Sequence, residues 1–369
     1  MTPLLRRPTA DDLPAIAATD GRAFGWHHTD SDIEDFRPLF DPERFVVACD
    51  PDDGAIVGVA GSFPFDLTLP GGASMAIEGV TWVAVSATHR RRGILRAMMA
   101  DLHRGYIDSG DAVSLLTASE GGIYGRFGYG PATSEREISI DRRRAEFRPG
   151  TPDPGGVRYV DTQTARKVAP EIHRRWGGSA LFHLVHPDGY VTYRIADGTC
   201  RIVDFIATTG DAHVALWRVV LGMDLTSTIT LRELPLDDPL PFLLTDPRQV
   251  RTTELKDGVW ARILDVPAAL GARTYSAEVD VVLTVHDGFL GRGGRFRLRG
   301  GPEGAACEPS DAAADVEIEI RALGSLLLGG HRAHTLTRAG LMSPLGPGVL
   351  ARLDAAFVAE REPRFGTHF

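Results

Sequence analysis

The sequence predicts an α/β protein in which a mixed sheet carries helices on both faces. Two strand-like segments at 45–49 and 55–63 flank an Asp-Asp-Gly turn, which is typical of a β-hairpin. A valine-rich, strand-like run at 79–85 is followed, from Ile94 onward, by apolar residues that recur with the period of a helix. At 369 residues the chain is also long enough for two or three domains.

The other elements follow in order along the chain. Thr9 is a predicted helix N-cap, and the acidic Asp11 and Asp12 favour the first helical turn after it. The proline- and glycine-rich run at 148–156 predicts a linker. Further strands are predicted at 112–118, 190–195, 201–207, 214–220, 277–285, 295–298 and 315–320, and further helices at 164–176 and 322–328.

The composition favours an ordinary cytoplasmic globular protein. A formal net charge of −9 argues against a nucleic-acid-binding protein and suits a cationic substrate. No apolar run approaches the length of a membrane span or a signal peptide, so we expect neither a membrane partner nor secretion. The sparse cysteines give no disulfide framework. Two histidine pairs, His183 with His186 and His331 with His334, lack a third ligand, so no metal is expected.

The loop between the strand at 79–85 and the helix from Ile94 carries the first indication of function. It reads Arg-Arg-Arg-Gly at 90–93. A glycine turn at a helix N-terminus presents backbone N–H groups to an anion, and flanking arginines add complementary charge. The loop therefore predicts a pyrophosphate site.

This loop resembles motif A of the GCN5-related N-acetyltransferases, whose signature is Gln/Arg-x-x-Gly-x-Gly/Ala, although Leu95 replaces the final small residue. Two further segments match one branch of that family. They are the run SEGGIYGRFGYGP at 119–131 and the terminal residue Phe369. Together the three segments resemble the Eis (enhanced intracellular survival) family, which has a tandem acetyltransferase core and a sterol-carrier-like C-terminal domain.

The resemblance implies three domains. An acetyltransferase domain that binds acetyl-CoA is expected over 1–147, a second acetyltransferase-like domain without a cofactor loop over 148–264, and a sterol-carrier-protein-like domain over 265–369. It also implies a homohexamer. The implied cofactor-binding residues are Val83, Ala84, Val85, Arg90, Arg91, Arg92, Gly93, Ile94, Leu95, Arg96, Ser119 and Glu120.

The resemblance makes Tyr124 the catalytic acid. A phenol has a reference pKa of about 10, so at neutral pH it holds a proton that it can donate to a departing thiolate. The alternative is a core tyrosine whose hydroxyl bonds to the backbone. Tyr129, in the same segment, is expected to be structural.

The resemblance assigns the base to the α-carboxylate of Phe369. Its reference pKa of about 3.3 to 3.7 makes it a weak base for an ammonium group. Either burial raises that pKa, or the carboxylate mainly binds and orients the ammonium while the proton leaves by water. The second is the larger expected contribution. The alternative is a frayed chain terminus.

Aromatic side chains are expected on the acceptor side of the site. Phe24, Trp26 and Trp82 are the candidates, since aromatic walls beside a carboxylate suit a cation. On composition alone, each of the three is more often a core residue than a pocket residue. Glu78 and Asp30 are candidate acids for binding the amine.

The predicted function is acetyl-CoA-dependent N-acetylation of primary amines by direct transfer. The expected acceptors are aminoglycoside-like or lysine-like polycations, including protein lysine. The alternative is a non-catalytic ligand-binding or scaffold protein with a degenerate acetyltransferase core.

Overall fold

A computed structural model describes residues 4–161, 163–165 and 181–366 of the chain. The chain divides into two compact units, of which the first combines residues 1–133 with 258–369 and the second spans residues 134–257. The predicted helix at 164–176 lies almost entirely outside the described residues. Among the described helices, none is long and apolar enough to span a membrane.

The first unit begins with strands and helices arranged around one mixed sheet. Its strands are β1 Leu4–Arg6, β2 Phe45–Cys49, β3 Ile56–Thr68, β4 Ser74–Val85, β5 Val113–Thr117, β6 Gly130–Pro131 and, from much later in the chain, β14 Val259–Ile263. The helices are α1 Leu13–Phe24, α2 Asp30–Phe36, α3 Ile94–Ser109 and α4 Gly121–Tyr124. The strand order is β1-β2-β3-β4-β5-β14-β6, with β4 and β5 parallel and the other described neighbours antiparallel.

Local sequence signals explain most of these elements. Thr9 precedes a 3-10 turn at Ala10–Asp12, which leads into α1, and its side chain does not accept a capping hydrogen bond. The Asp12 carboxylate instead accepts from the Thr9 N–H at 2.7 Å and stabilises this turn. The predicted hairpin at 45–63 is confirmed as β2 and β3, although β3 is longer than expected. Glycines in the left-handed region flank α3, Gly93 at φ +81° and Gly110 at φ +86°, and its buried face packs on the sheet.

The second unit contains its own sheet, in the order β13-β7-β12-β11-β10-β9-β8. The strands are β7 Ser134–Asp141, β8 Arg158–Val160, β9 Phe182–His186, β10 Gly189–Ala196, β11 Thr199–Ala207, β12 Thr228–Leu234 and β13 Val250–Asp257, and the helices are α5 Gly210–Leu221 and α6 Leu240–Leu243.

The predicted strand at 214–220 is wrong, because α5 occupies these residues. Thr209 caps the helix by accepting from the Ala212 N–H at 3.2 Å, and Asp211 lies in the first turn. The buried positions at 212, 213, 216, 217 and 220 follow the helical period. The three valines of this segment favour a strand locally, but the cap and the buried face decide the outcome.

The last part of the first unit is a third structural region, built on a sheet in the order β17-β16-β15-β18-β19. Its strands are β15 Val279–His286, β16 Gly294–Gly301, β17 Gly304–Pro309, β18 Val316–Glu319 and β19 Met342–Pro344, and its helices are α7 Val266–Gly271, α8 Ile320–Leu327, α9 Ala333–Arg338 and α10 Val349–Phe357. The strands predicted at 277–285, 295–298 and 315–320 and the helix at 322–328 are therefore present with shifted ends.

Strand β14 joins this third region to the first sheet. It pairs with both β5 and β6, and α8 packs directly over it. A Cβ on Gly324 would lie 2.3 Å from the Ala261 carbonyl oxygen, and one on Gly130 would lie 1.9 Å from that of Arg321. Only glycine permits this close backbone approach. One apolar core therefore runs from the first sheet into the third region.

The compact units differ from the predicted domain boundaries at two places. The predicted boundary at 147/148 assigns β7 to the first domain, but β7 lies in the second unit's sheet. The predicted second domain extends to residue 264, but β14 at Val259–Ile263 completes the first sheet. The linker-like composition at 148–156 marks an exposed loop inside the second unit rather than a division between units.

The buried Arg273 connects the ends of two helices in the third region. Its guanidinium donates to the carbonyl oxygens of Leu326, Leu327 and Phe357, the last at 2.9 Å, so it satisfies acceptors at the C-termini of α8 and α10. Burial lowers the pKa of Arg273 to about 10, so the side chain remains charged at neutral pH. The charge faces helix C-termini, where a cation is favourable.

Replacing Arg273 with methionine should destabilise the protein by about 3 kcal/mol or more, because several buried carbonyl groups lose their donor. Thermal unfolding measures the shift in midpoint. The matched control is Arg299→Met, because Arg299 is half-exposed and its ion pairs at 3.7 and 3.9 Å lie on the surface. Equal, small shifts for both variants would contradict the structural role of Arg273.

Candidate active site

The pairing between β4 and β5 stops before β4 ends. Their parallel register covers only Glu78–Val80 against Ser114–Leu116, whereas β4 continues to Val85 along β3 alone. The β3–β4 register also shifts near Val59 and Gly61, where Trp82 has a left-handed φ of +52°. The backbone groups of the last β4 residues therefore lack a β5 ladder partner and can bond to an amide-containing ligand. This opening contains Val83, Ala84 and Val85.

The predicted anion loop lies at the start of α3. The side chains of Arg90, Arg91 and Arg92 are exposed, and none forms an ion pair within the described part of the chain. Arg91 and Gly93 both have left-handed backbones, at φ +63° and +81°. Gly93 supplies no side-chain cap for α3, so the N–H groups of the first turn remain open. This arrangement suits a pyrophosphate.

A neighbouring hydrogen bond holds this loop in position. His89 Nε2 lies 2.8 Å from Asp50 Oδ2 on the β2–β3 hairpin. Behind the loop, the Ile94 side chain is buried in the core, and the Arg96 guanidinium lies 4.9 Å from the centre of the Phe289 ring. The side chains of Ile94 and Arg96 are engaged in packing. These two residues can therefore contact an anion only through their backbone N–H groups.

Tyr124 lies at the end of α4, after the exposed Ser119 and Glu120 that follow β5. Its side chain belongs to the same apolar cluster as Val83 and Val85. The residue is 6% exposed, yet its hydroxyl forms no hydrogen bond with any described residue. Burial, and then the nearby Glu120 carboxylate, raise the pKa of Tyr124 to about 12. A buried phenol without a partner, next to the β4–β5 opening, is available to a ligand.

Tyr129 differs from Tyr124 because its hydroxyl is fully engaged. It lies 2.8 Å from His103 Nε2 and 2.7 Å from Ser114 Oγ. All three residues are buried, and the Tyr129 ring contacts Tyr124 edge to face at 6.2 Å. Tyr129 anchors the segment that carries Tyr124, in agreement with the structural role expected for it.

An ion pair from the third region supports the same segment. Arg262 on β14 donates to Asp287 Oδ2 at 2.6 Å, and both side chains are buried. Gly128, at φ +85°, lies against this guanidinium, and a Cβ there would fall 1.5 Å from Arg262 Nη1. Asp287 also accepts from the backbone N–H groups of Phe289 and Leu290. The Tyr124–Tyr129 segment is thus fixed by residues that are distant in sequence.

The predicted acceptor-side residues are connected through aromatic contacts. Phe24 stacks on Trp26 at 5.2 Å, and Trp82 stacks on Phe36 at 4.3 Å. His28 joins the two pairs, because it contacts Trp26 edge to face at 6.1 Å and stacks on Trp82 at 5.4 Å. Phe24 and Trp26 remain 40% and 52% exposed, so they form a wall open to solvent rather than a core.

The other candidate acids are placed differently. Glu78 is buried, forms an ion pair with Arg44 and accepts from Ser62 Oγ at 2.5 Å, so its charge is already compensated. Asp30 is exposed at the start of α2. Phe369 lies outside the described residues, although Phe365 contacts Phe65 of β3 with ring centres 6.5 Å apart. The described residues contain no cluster of histidine, cysteine or acidic side chains that could hold a metal ion.

Sequence reasoning missed His28 and Asp20. His28 Nε2 lies 3.1 Å from Asp20 Oδ2, and Asp20 is only 4% exposed. Their eight-residue separation crosses the end of α1, so no helical periodicity places them together. The one available signal is the concentration of Trp26, His27 and His28 directly after a helix.

An opening between parallel strands, an uncapped helix N-terminus and a phenol without a partner among the described residues together suit a ligand that carries both amide groups and a pyrophosphate. The family comparison identifies the class of protein. Residues 5–132 and 163–263 each match an acetyltransferase (GNAT) domain model, and residues 266–366 match a sterol carrier protein domain. The chain therefore contains two acetyltransferase folds and a sterol-carrier-like domain.

Full-length relatives identify the branch. The N-acetyltransferase Eis of Mycobacterium tuberculosis (strain H37Ra) is 41% identical over 98% of this chain and 98% of its own length. An uncharacterized N-acetyltransferase of Streptomyces coelicolor is 35% identical over 93% of this chain and 94% of its own. The crystal structure of Eis1 from Mycobacterium abscessus superposes with a TM-score of 0.90 at 32% identity, covering 99% of this chain and all of that one. The chain belongs to the Eis family of GCN5-related N-acetyltransferases and is an acyltransferase.

The buried His103 beneath Tyr129 gives a pH-dependent prediction. Burial and the nearby Arg262 charge lower the pKa of His103 from 6.5 to about 3, so the folded protein keeps it neutral. Below about pH 6.5 the unfolded chain binds a proton that the folded protein does not. Stability should therefore fall as the pH falls from 6.5 toward 3, by about 1.4 kcal/mol per pH unit from this residue alone.

Thermal midpoints at pH 7 and pH 5 measure this contribution. His103→Gln should be less stable at pH 7 but should lose less stability on acidification than the unmodified protein. His27→Gln, an exposed site, is the control and should keep the original pH dependence. If His103→Gln and the control lose stability in parallel, His103 does not titrate as described.

Proposed function

We propose that the enzyme transfers the acetyl group of acetyl-CoA directly to primary amines of polycationic small molecules, of the aminoglycoside or lysine type. The observation that carries the proposal is Tyr124, a buried residue beside the β4–β5 opening whose hydroxyl has no hydrogen-bond partner among the described residues. The open α3 N-terminus and the arginines at 90–92 supply the matching anion site for the pyrophosphate. The net charge of −9 favours cationic acceptors.

Each part of the site has a distinct role in this reaction. Backbone groups of Val83–Val85 bind the amide-containing arm of the donor and so place its thioester near Tyr124. The acceptor amine attacks the thioester carbonyl, the C–S bond breaks, and Tyr124 donates its hydrogen to the departing sulfur. The amide nitrogen then loses its surplus proton, which returns to the Tyr124 oxygen through water. The raised pKa keeps this phenol protonated throughout the neutral range. Its role is therefore hydrogen donation rather than nucleophilic attack.

The amine side of the site combines aromatic walls with a carboxylate. Trp26 and Trp82 face a cationic acceptor, and Phe369 supplies its α-carboxylate as an ammonium anchor or base. The contact of Phe365 with Phe65 supports this placement.

Two further expectations remain predictions. They are assembly as a homohexamer, which the family resemblance implies, and residence in the cytoplasm, which the composition favours. Protein lysine belongs to the candidate acceptors. Thiol release from acetyl-CoA across a panel of amines tests the proposed reaction itself. Cofactor binding without turnover of any amine would favour the alternative, a ligand-binding or scaffold protein.

Tyr124→Phe should fold and bind acetyl-CoA normally but lose about 10²-fold or more in kcat, because the departing sulfur loses its hydrogen donor. Thiol release measures kcat, and calorimetry measures acetyl-CoA affinity. Tyr129→Phe is the matched control: it removes a structural hydroxyl, so it should lower thermal stability more than kcat. Near-normal turnover by Tyr124→Phe would make Tyr124 a core residue only.

A C-terminal tag should lower turnover by about 10²-fold or more, because it converts the Phe369 carboxylate into a neutral amide and adds bulk. An N-terminal tag should have little effect. The decisive measurement compares the tagged protein before and after the tag is cleaved back to Phe369. Equal kcat in both forms would exclude the terminal carboxylate from the reaction.

A further inference from the structure

Phe289 of the third region lies in the turn between β15 and β16. The Asp287 carboxylate closes this turn, because it accepts from the backbone N–H groups of Phe289 at 3.1 Å and of Leu290 at 3.2 Å. Arg262 of β14 donates to the same carboxylate at 2.6 Å. The backbone of Phe289 is therefore held against the first sheet, and its half-buried side chain packs on the apolar cluster of α3.

The Phe289 ring contacts α3 at two positions. The Arg96 guanidinium lies 4.9 Å from the centre of the ring. The His103 ring meets it edge to face, with 5.8 Å between centres and 81° between planes. Arg96 and His103 are seven residues apart, so they lie on one face of α3, about 10 Å apart along its axis. Phe289 therefore contacts the helix from its first turn, beside the predicted pyrophosphate site, to its middle.

The same ring contacts the segment that carries Tyr124. Phe127 and Phe289 meet edge to face, with 5.0 Å between ring centres and 63° between planes. Phe127 ends the short helical turn Gly125–Phe127, which directly follows Tyr124. Across this turn, the Tyr129 N–H donates to the Tyr124 carbonyl oxygen at 3.3 Å. A displacement of Phe127 would therefore move the backbone of Tyr124 as well.

We propose that Phe289 is a positioning residue for the transfer reaction, which sets the separation between the N-terminus of α3 and the Tyr124 hydroxyl. This inference rests on the proposed function, because those two points are the assigned pyrophosphate site and the assigned hydrogen donor to sulfur. One donor molecule must meet both at once. A change of about 1 Å in their separation displaces the thioester from the phenol and slows the chemical step. The sterol-carrier-like domain thus supports the reaction through one aromatic side chain.

An aromatic ring suits this role because it is rigid and makes directional contacts. The face of a phenyl ring attracts a guanidinium, and aromatic pairs prefer edge-to-face arrangements of the kind seen with Phe127 and His103. A smaller apolar side chain would fill part of the space but would not hold α3 and Phe127 at a fixed distance. Phe296 on β16 is also half-buried, but it packs on the other core, which runs from the first sheet into the third region.

The test measures thiol release from acetyl-CoA by Phe289→Ala, at a temperature well below the unfolding midpoint of every variant used. Its kcat should fall by about 10-fold or more, because the loss of orientation acts on the chemical step. Calorimetry should show nearly unchanged acetyl-CoA affinity, since the N–H groups of α3 remain in place. Phe289→Leu keeps most of the apolar volume, so it should fold even where the alanine variant does not, and it should show a smaller loss of kcat. Phe296→Ala is the matched control and should keep the original kcat.

The decisive measurement repeats both Phe289 substitutions in the Tyr124→Phe enzyme. A residue that acts through the Tyr124 hydroxyl should cause little further loss there, so the double variants should have the kcat of Tyr124→Phe alone. An unchanged kcat for both single Phe289 variants, or a higher KM for acetyl-CoA with unchanged kcat, overturns the inference. If Tyr124→Phe loses kcat but the two losses multiply, this inference fails and the proposed acid stands. If Tyr124→Phe itself keeps near-normal kcat, the proposed acid fails and this inference fails with it.

Discussion

The first sheet is completed by a strand that returns from beyond the second compact unit. Strand β14 hydrogen-bonds to β5 on one edge and to β6 on the other, so the segment between them is held on both sides. That segment includes Tyr124 and Tyr129. Without β14, β5 would be an exposed edge and α8 would have no backbone surface to pack against. The position of the candidate acid therefore depends on long-range pairing.

The pairing of β14 with β5 and β6 is accompanied by a buried ion pair between Arg262 and Asp287. Burying an isolated guanidinium would be very unfavourable, and the ion pair with Asp287 offsets part of that cost, although Nε and Nη1 of Arg262 have no hydrogen-bond partner among the described residues. Such a pair adds little net stability, and through it Arg262 joins β14 to the loop after β15. Its positive charge also helps to keep His103 neutral, so that the imidazole can share a hydrogen bond with Tyr129. The charge chemistry of the active site thus extends into the third region.

The sequence predicts those parts of the molecule that are governed by local rules. The 45–63 hairpin, the β4–α3 junction and the end of α8 at Gly329 each carry a turn residue or a period that identifies them. The Tyr124 segment was found through a motif. In contrast, nothing local distinguishes β14 from a strand of the second domain. The valines of α5 favour a strand locally. Strand propensity takes no account of the buried face that makes this segment helical, so the prediction at 214–220 is wrong. Pairs such as Asp20 and His28 arise only when the end of α1 folds back.

Trp82 lies between the end of β4 that we assign to the donor and the aromatic wall that we assign to the acceptor. Its left-handed backbone is uncommon for a bulky residue and costs on the order of 1–2 kcal/mol. Stacking on Phe36 at 4.3 Å and on His28 at 5.4 Å compensates that cost. The resulting irregularity lies in β4 where its pairing with β5 has ended, directly before the backbone groups that we assign to the donor. The same residue contributes its indole ring to the aromatic wall that we assign to the acceptor. One strained residue therefore links the donor and acceptor sides of the site, and its aromatic contacts are what make that conformation stable.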